Sequence, residues 1–517
     1  MTQIPDKKHS NVRFVTFNVN GLRTFFHYHP FSGMNSSLAR VFDHFQSDII
    51  TFQELKTDQL ALTKWGKTRN FHSFISIPTK RRGYSGVGCW VRIVSPDDPL
   101  FDVLQVVKAE EGITGYLKVK VGKNSVRYRD DSSIGIGGYD SLGIENETEA
   151  LSLDCEGRCV MVELKCNMVV ISTYCPANSM QTDDGEEFRL KFLKVLFRRI
   201  RNFHAMGKTV VLMGDINVCR DLIDQAEALK SWRITVSDLT KGSEVESSHM
   251  EAVKDFIYAP SRPARRLLNE MLADSKLSHL AASGTLLDTT RHCQGNDRLK
   301  MYTVWNTLKN SRPINYGSRI DYILVTSKMK DDIEKADIWP QIMGSDHCPV
   351  FADIHPRSAS DKDDTTTRGV PPFEARFRHN LNNRDITSMF RQSAAPQQTD
   401  NPKSQSSLRV KKSDTELQTK KKQESIRTAL KVPANMKNVD SDVQNKSQSV
   451  SPAKKSNSFY TMLNGMLDGP PLCKHGEEAI LRTSKTDNSR GKKFWVCPKP
   501  KGDPTDEGAN CDFFQWK

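Results

Sequence analysis

The chain has 517 residues, which is more than one compact core usually holds, so the length predicts two or more folded units. Hydrophobic residues make up 37% of it and the mean hydropathy is −0.55, so part of the chain is expected to stay unfolded. No apolar run approaches the roughly 18 residues that span a bilayer, and the first ten residues, MTQIPDKKHS, lack the apolar core of a signal peptide. These features argue against the membrane and secreted classes and predict a soluble, intracellular protein.

The net charge of +13, from 75 Lys and Arg against 62 Asp and Glu, is concentrated towards the C-terminus. Residues 357–472 hold 20 basic against 12 acidic side chains, and residues 473–517 hold 9 against 7. A basic tail predicts a polyanionic partner, because Lys and Arg gain affinity by releasing counterions from phosphates. The alternative is a tail whose charges merely keep it solvated.

Short apolar runs rich in Val, Ile and aromatic residues recur from Val12 to about Ile354 and predict β-strands. They are VRFVTF, DIITF, GVGCWV, CVMVELK, MVVISTY, TVVLMGD, DYILV and VFADI. Between them, EEFRLKFLKVLFRRIRNFHAMG has acids at its start, bases towards its end and a terminal Gly, as expected of a long helix. Alternating strands and helices predict a layered α/β domain with a sheet sandwich at its core.

The composition changes twice after this domain. Residues 357–470 are rich in Ser, Gln, Asn, Lys and Pro and poor in aromatics, so we expect a disordered linker. Residues 471–517 regain aromatic and Cys residues and predict a second, small folded unit. The predicted domains are therefore 1–356, 357–470 and 471–517. The cysteines of the first domain have no paired spacing and are expected to be free thiols.

Polar and acidic residues stand at the ends of several predicted strands of the first domain. A carboxylate next to a buried strand is costly unless a charged group meets it, and a hard divalent cation is the obvious candidate. A lone strand-end Asp usually belongs to a turn, but five such motifs in one domain predict a site. The residues concerned include Asn18, Glu54, Asp215, Asp321, Asp346 and His347.

These motifs carry a family resemblance. In order across residues 18–349 they read N-x-N-G-L-R, Q-E-x-K, T-Y-x-P, G-D-I-N, R-I-D-Y and S-D-H-C-P. They resemble the exonuclease III branch of the endonuclease/exonuclease/phosphatase superfamily, and the linker with its terminal segment narrows the likeness to the AP endonuclease 2 family. The resemblance implies a four-layer α/β sandwich, Mg²⁺ dependence, and hydrolysis of DNA phosphodiesters at abasic sites and 3′ ends.

Roles for the residues follow from phosphoryl-transfer chemistry, in which a water is deprotonated and charge on the phosphate is neutralised. Asp215 is the predicted general base, and Asp321 is expected to orient His347 for a hydrogen bond to the phosphate. The catalytic set is completed by Tyr174 and Asn217. Oxygen ligands suit Mg²⁺, with Mn²⁺ as an alternative. The predicted magnesium set is Asn18, Glu54, Asp215, Asn217, Asp346 and His347.

Several positions depart from the pattern of the best-known abasic endonucleases of the superfamily. Asn20 stands where they have Asp, and Met180 where they have an Arg that inserts into the duplex. Val304 and Ser318 replace aromatics that wall the abasic pocket. A smaller, less aromatic pocket should hold a flipped sugar less tightly. We therefore expect weak incision at abasic sites and stronger 3′–5′ exonuclease and 3′-end cleaning, with Trp305 and Ile320 as the remaining DNA-contacting lining.

The C-terminal segment predicts a structural Zn²⁺ site, because four soft or borderline ligands lie within about forty residues. So small a unit cannot bury a large core and needs a metal to stabilise its fold. The ligands are Cys473, His475, Cys497 and Cys511. The segment resembles the GRF-type zinc finger, with Lys492 in place of the Arg that names it. Arg482, Lys492 and Phe494 are predicted to bind single-stranded DNA by charge and stacking. The alternative is a finger that binds protein.

Residues 383–390 resemble a clamp-binding box, which implies the replication sliding clamp as a partner. A one-turn helix would present its apolar side chains to a hydrophobic pocket. The predicted clamp-binding residues are Asn383, Ile386, Met389 and Phe390. Lysine runs at 411–412 and 420–422 favour nuclear import, and a mitochondrial fraction is left open.

The sequence thus predicts a monomeric, Mg²⁺-dependent DNA-repair nuclease that acts on abasic duplexes, 3′ ends and single strands. One alternative is a phosphatase of the same superfamily that acts on small phosphates. Another is a catalytically silent DNA-binding scaffold, which the intact set of acids disfavours.

Overall fold

The computed structural model describes residues 4–79, 83–357, 369–381, 471–477, 479–484, 493–499 and 510–516. The chain divides into two compact units, Met1–Ala395 and Pro396–Lys517, and each is described by itself. Within the described ranges, none of the helices combines the length and the apolarity needed to cross a bilayer.

Eight of the sixteen strands that the structure describes in the first unit coincide with the predicted apolar runs. In chain order the sixteen strands are β1 Val12–Asn18, β2 Ile49–Gln53, β3 Phe71–Ser76, β4 Val87–Arg92, β5 Val106–Glu111, β6 Lys118–Val121, β7 Asn124–Arg127, β8 Cys159–Leu164, β9 Met168–Tyr174, β10 Thr209–Asp215, β11 Leu286–Asp288, β12 Val304–Trp305, β13 Gly317–Ser318, β14 Asp321–Thr326, β15 Ile333–Ile338 and β16 Val350–Ile354.

Two six-stranded sheets organise these strands. Sheet one has the order β15-β16-β1-β2-β4-β3, and sheet two has the order β11-β14-β10-β9-β8-β5. Each contains one parallel pair, β1 with β2 and β10 with β9, and the other neighbours are antiparallel. Two short hairpins, β6-β7 and β12-β13, stand outside the sheets.

Helices lie between these strands in the chain. They are α1 Leu22–Phe25, α2 Leu38–His44, α3 Leu62–Trp65, α4 Phe101–Leu104, α5 Glu147–Asp154, α6 Asp183–Ala205, α7 Ala226–Ser231, α8 Gly242–Ser248, α9 Met250–Tyr258, α10 Ala264–Asn269, α11 Ser278–Ala281, α12 Thr289–Gln294 and α13 Ala375–Arg378. Single 3₁₀ turns occur at Phe31–Met34, Tyr128–Asp130, Leu222–Asp224 and Ser327–Asp332.

The predicted four-layer sandwich is confirmed by how successive strand residues alternate between two cores. In β1, Phe14 belongs to the core between the sheets, whereas its neighbour Val15 belongs to the core that sheet one shares with α1 and α2. Sheet two buries its other face against α6 and α10. The layers are therefore helix, sheet, sheet and helix, because each sheet buries apolar side chains on both faces.

The long helix predicted after β9 is α6. Thr182 caps it, because its hydroxyl accepts a hydrogen bond from the amide of Gly185 at 3.1 Å. Asp183, Asp184 and Glu186 complement the positive end of the helix dipole. Its apolar stripe packs on sheet two.

The linker was predicted to begin at residue 357, but residues 369–381 belong to the first unit. Residues 369–381, here called the strap, pack on the first unit: Phe373 is fully buried, and Arg378 pairs with Glu111 at 2.6 Å. His379 lies 3.2 Å from the carbonyl oxygen of Ile75 on the edge strand β3. The expectation of disorder from residue 357 is wrong for the strap, because a few apolar side chains suffice when an existing surface receives them. Residues 358–368 and 382–470 lie outside the described residues.

The second unit contains a three-stranded antiparallel sheet. Its strands are β17 Ile480–Thr483, β18 Lys493–Val496 and β19 Phe514–Trp516, with β18 in the middle.

Candidate active site and zinc centre

The two sheets bring their polar strand ends to one place. Asn18 ends β1 and Glu54 follows β2, and these strands are parallel neighbours in sheet one. Asp215 ends β10 in sheet two, directly opposite Asp321 at the start of β14. His347 precedes β16. Residues that are far apart in sequence therefore meet at one end of the sandwich.

The amide of Asn18 is the centre of this group. Its Nδ2 donates hydrogen bonds to Glu54 Oε1 and to Asp215 Oδ2, both at 2.9 Å, and it lies 3.4 Å from His347 Nε2. Asn18 is fully buried, so its position is fixed by these partners. One side chain thus links the two sheets across the site.

His347 is oriented by Asp321, as the sequence predicted. Its Nδ1 lies 2.8 Å from Asp321 Oδ2, and the hydroxyl of Thr303 donates to the same oxygen at 2.6 Å. Burial alone would lower the pKa of His347, but the charges of Asp321 and Asp215 outweigh it and raise that pKa to about 10. The imidazole therefore holds its proton, with Nε2 directed towards Asp215 at 3.9 Å.

Asp215 is a buried carboxylate whose charged form is disfavoured by its surroundings. Burial and the nearby charge of Asp321 raise its pKa above its usual range. Its Oδ1 accepts a hydrogen bond from the backbone amide of Asn217 at 2.9 Å. The preceding Gly214 has φ +141°, and a Cβ there would lie 2.0 Å from Thr173 O, so the close approach of β9 requires glycine.

Four site residues hold a left-handed backbone conformation that non-glycine residues rarely adopt. The φ angles are 46° for Asn20, 50° for Glu54, 45° for Lys56 and 55° for Asn217. Such strain persists only where the surrounding structure enforces it, and it concentrates at functional sites.

Asp346 is held by a different set of contacts. Its Oδ1 accepts hydrogen bonds from Asn20 Nδ2 at 2.9 Å and from the Ser345 hydroxyl at 3.1 Å. Asn20 Oδ1 accepts from Lys56, whose ammonium also lies 3.0 Å from Glu54 Oε2. Asn20 therefore connects Asp346 to the first group through Lys56.

Tyr174 lines the site from β9. Its pKa is raised above the usual range by burial and by the charges of Glu54 and Asp215, so the phenol stays protonated and can donate. Arg158 holds it in place: its Nη1 donates to Tyr174 O at 3.1 Å, and its guanidinium lies 4.9 Å from the ring centroid.

The predicted metal ligands divide into two groups. One oxygen of Glu54, one oxygen of Asp215 and one ring nitrogen of His347 lie within 4.8 Å of one another. This donor set fits a divalent cation, because two carboxylates supply the hard oxygen ligands and the negative charge that such an ion requires. Asp346 does not join this three-residue group. A protonated His347 has no free ring nitrogen for a metal and would donate a hydrogen bond instead. The metal roles of all the residues in the predicted magnesium set stay predictions.

The predicted DNA-contacting residues differ in exposure. Met180 is 64% exposed, and Val304, Ser318 and Ile320 are half-buried. Trp305 is buried, and Arg312 lies over its ring at 4.5 Å. The DNA contact of Trp305 stays a prediction.

Three residues of the site, Lys56, Thr303 and Arg312, were not predicted from the sequence. Lys56 is part of the Q-E-x-K motif, which could have identified it. Thr303 has no local signal, since only the fold places it beside Asp321. The guanidinium of Arg312 donates to four carbonyl oxygens around the loop that carries Asp346 and His347: those of Ser345, His347, Pro340 and Ile342.

The zinc ligands predicted in the second unit come together. Atoms of Cys473, His475, Cys497 and Cys511 all lie within 4.8 Å of one another. His475 Nδ1 is 3.7 Å from Cys473 Sγ and 3.5 Å from Cys497 Sγ. Ordinary Zn–S and Zn–N lengths at a tetrahedral angle give about 3.6 Å, so the site fits Zn²⁺.

One face of the small sheet presents aromatic and basic side chains. Arg482 on β17 pairs in register with Phe494 on β18, which pairs with Trp516 on β19, so the three form one row. Phe514 and Trp516 are 52% and 48% exposed. This row, with Phe514, is called the aromatic platform. Lys492 and the predicted clamp-binding box at 383–390 lie outside the described residues.

Comparison with known proteins identifies both units. Residues 15–347 match the endonuclease/exonuclease/phosphatase family, and residues 471–517 match the GRF zinc finger. The first unit also resembles the crystal structure of the Xenopus laevis APE2 catalytic domain, with a TM-score of 0.52 and 24% identity over 72% of this chain and 99% of that chain, a likeness that shows the fold.

Relatives of known name match the chain over its full length or over part of it. DNA-(apurinic or apyrimidinic site) endonuclease 2 of Saccharomyces cerevisiae is 50% identical over 100% of this chain and 99% of its own length. The protein of the same name from Homo sapiens is 25% identical over 98% of this chain and 99% of its own. An exodeoxyribonuclease of Bacillus subtilis is 27% identical over 41% of this chain and 73% of its own. The chain therefore belongs to the DNA-(apurinic or apyrimidinic site) endonuclease 2 family, the branch of DNA-repair nucleases in which an endonuclease/exonuclease/phosphatase domain carries a GRF zinc finger.

Proposed function

We propose that this nuclease hydrolyses DNA phosphodiesters mainly at 3′ ends, as a 3′–5′ exonuclease and 3′-phosphodiesterase, and more slowly at abasic sites. One observation carries the proposal: Glu54, Asp215 and His347 converge within 4.8 Å around the bridging amide of Asn18. These side chains would serve as a metal-binding carboxylate, a general base and a cationic hydrogen-bond donor around one space, which supports phosphodiester hydrolysis.

Asp215 takes the proton of the attacking water in this proposal. The backbone amide of Asn217 and the side-chain amide of Asn18 each donate to one of its oxygens, which fixes the carboxylate in a single orientation. A base with a raised pKa accepts a proton more readily than an ordinary carboxylate does.

His347 and Tyr174 donate hydrogen bonds to the phosphate oxygens. The Asp321 carboxylate holds the His347 ring by Nδ1 and leaves Nε2 for the substrate. The raised pKa of both side chains keeps their protons in place at neutral pH.

Glu54, with the neighbouring oxygens of Asp215, would hold a divalent cation, Mg²⁺ before Mn²⁺. When bound, the ion would polarise a phosphate oxygen and offset charge that develops during hydrolysis. Lys56 already places one positive charge 3.0 Å from Glu54 Oε2, so the chain itself contributes to that neutralisation.

The proposed preference for 3′ ends over abasic sites rests on residues around the site that differ from those of the best-known abasic endonucleases. Asn20 donates to Asp346 through a neutral amide, so that position adds no negative charge. Met180 is exposed but lacks the charge with which an Arg would enter a duplex. Half-buried Val304 and Ser318 leave the pocket less aromatic.

The zinc finger would bring single-stranded DNA to the enzyme. Bases stack on exposed aromatic rings, and Arg482 lies in the same row to meet phosphate. The half-exposed Phe514 and Trp516 support this role over one in which the aromatics merely form the core of the finger. Sliding-clamp binding through residues 383–390, a monomeric state and nuclear localisation remain proposals from the sequence.

The test compares three substrates with one preparation of the full chain in the presence of Mg²⁺. They are a duplex with a recessed 3′ end, a duplex with one abasic site, and an inositol phosphate. We expect fast trimming of the 3′ end, slower incision, no release of inorganic phosphate, and loss of all cleavage with a chelator. Phosphate release without DNA cleavage would establish the phosphatase alternative, and DNA binding without any cleavage would establish the scaffold.

A further inference from the structure

Arg265, which contacts the residue that pairs with the outer strand of the β12-β13 hairpin, has no acidic partner. Arg265 lies in the first turn of α10 and is half-buried. Its guanidinium donates to Phe256 O at 3.1 Å and to Gln225 Oε1 at 2.8 Å, and it lies 3.6 Å from the Phe256 ring centroid. Among the described residues no carboxylate pairs with it. All of its contacts are neutral, so its positive charge is uncompensated.

Two further arginines add to this charge. Arg262 is exposed three residues earlier, and no ion pair joins it to a described residue. Burial lowers the pKa of Arg265 to about 10; Cys219 opposes this shift, and the charges of Arg262 and Arg189 add smaller lowering effects. A half-buried cation next to like charges costs folding free energy, and a bound anion would remove that cost.

A chain of neighbouring contacts connects Arg265 to the active site. Gln225, which accepts from Arg265, forms a backbone bridge with Ser318. Ser318 pairs with Val304, and Val304 forms a backbone bridge with His347. Arg265 is therefore placed at the outer side of the β12-β13 hairpin, which borders the catalytic histidine.

Arg189, the other arginine whose charge acts on Arg265, contacts the site through Asn217. Arg189 is buried on α6 and donates to the carbonyl oxygen of Asn217 at 2.6 Å. It is partly neutralised by Glu186 at 3.3 Å, which in turn accepts from Asn178 in the loop of Met180. The uncompensated charge is thus on Arg262 and Arg265.

We propose that Arg262 and Arg265 bind a backbone phosphate of the substrate DNA at some distance from the scissile one, beyond the β12-β13 hairpin. The inference rests on the proposed DNA nuclease function and adds a binding subsite to it. A phosphodiester is the fitting anion because it carries one charge, accepts from a planar guanidinium, and recurs along the strand that the active site would cut. Neutralising it releases counterions and so makes binding salt-dependent.

The adjacent Arg266 provides a matched control. It lies on the same helix but is exposed and pairs with Glu270 at 2.8 Å, so its charge is already compensated. Arg265→Gln removes the uncompensated charge, Arg266→Gln removes a compensated one, and Arg265→Lys keeps the charge without the planar fork. Thermal melting of each variant monitors folding.

The experiment measures DNA affinity at several salt concentrations and steady-state cleavage of a recessed 3′ end, with the full chain throughout. We expect Arg265→Gln to weaken binding about tenfold and to reduce the slope of log affinity against log salt by about one, with the loss falling on KM. Arg266→Gln should match the unmodified chain, and Arg265→Lys should recover most of the affinity.

Three results would overturn the inference. They are an unchanged affinity and salt slope in Arg265→Gln, an equal loss in Arg266→Gln, or an Arg265→Lys variant as weak as Arg265→Gln, which would assign the effect to packing on Phe256. Absence of DNA cleavage by the unmodified chain would instead overturn the proposed function, so the two failures are distinguishable.

Discussion

The strap makes the catalytic unit longer than its composition indicates, and Phe373 offers the sharpest test. Its side chain is fully buried in the core between the sheets, where it packs against Phe74 and Tyr128 at ring-centroid distances of 6.2 and 6.4 Å. Replacing a buried Phe by Ala removes its burial and leaves a cavity, at a cost of about 3 to 5 kcal/mol. That is a large share of the stability of an ordinary domain, about 5 to 15 kcal/mol.

Phe377 is the matched control, because it is the same residue type on the same strap but is 47% exposed. The assay is urea unfolding of the full chain followed by circular dichroism, with Phe373→Ala and Phe377→Ala measured side by side. We expect the midpoint to fall markedly for the first variant and the second to lose about 1 kcal/mol or less.

Equal losses in the two variants would refute the reasoning, because burial would then not decide the cost. Truncation after residue 356 should be at least as damaging as Phe373→Ala, since it also removes the ion pair between Arg378 and Glu111. A truncated chain as stable as the full one would show that the strap contributes nothing to the sandwich.

The other predictions concern the site and the finger. Asp215→Asn should slow cleavage by about 10² to 10⁴ with DNA affinity nearly unchanged, and a loss within about tenfold would exclude Asp215 as the base. Glu54→Gln should raise the Mg²⁺ concentration that gives half-maximal cleavage; an unmoved metal titration would mean that Glu54 is not a ligand. Arg312→Gln should lower kcat more than it raises KM, because it removes the guanidinium that donates to four carbonyl oxygens around the loop of His347. An unaltered kcat would contradict this. Cys497→Ala should abolish zinc content and single-strand binding while processing of short duplex ends survives; retained zinc would remove Cys497 from the ligands.

Local sequence patterns determined most of the architecture. The apolar run VRFVTF predicted β1, in which Phe14 and Val15 are buried on opposite faces. The acids at the start, the bases towards the end and the terminal Gly of residues 186–207 predicted α6. These predictions succeeded because the signal lies within a few residues of the chain.

The strand-end motifs identified the acidic residues of the site but not their mutual contacts. Asn18 was expected to bind metal or phosphate, yet its Nδ2 donates to Glu54 and Asp215 and so joins the two sheets. Trp305 is predicted to contact DNA, and only the fold shows that it is buried beneath Arg312. Which face of a side chain is covered depends on residues distant in sequence, so local patterns cannot decide it.

The strap, the Thr303 contact and the uncompensated charge of Arg265 were decided by tertiary structure alone. Residues 369–381 have a linker-like composition, but the first unit offers them an apolar surface and the Glu111 carboxylate. In the sequence, Arg265 cannot be told from an ordinary surface charge. Only the folded structure shows that its partners, Phe256 and Gln225, are neutral. Sequence fixes which chemical groups are available, whereas burial and pairing energies depend on distances that only the folded chain sets.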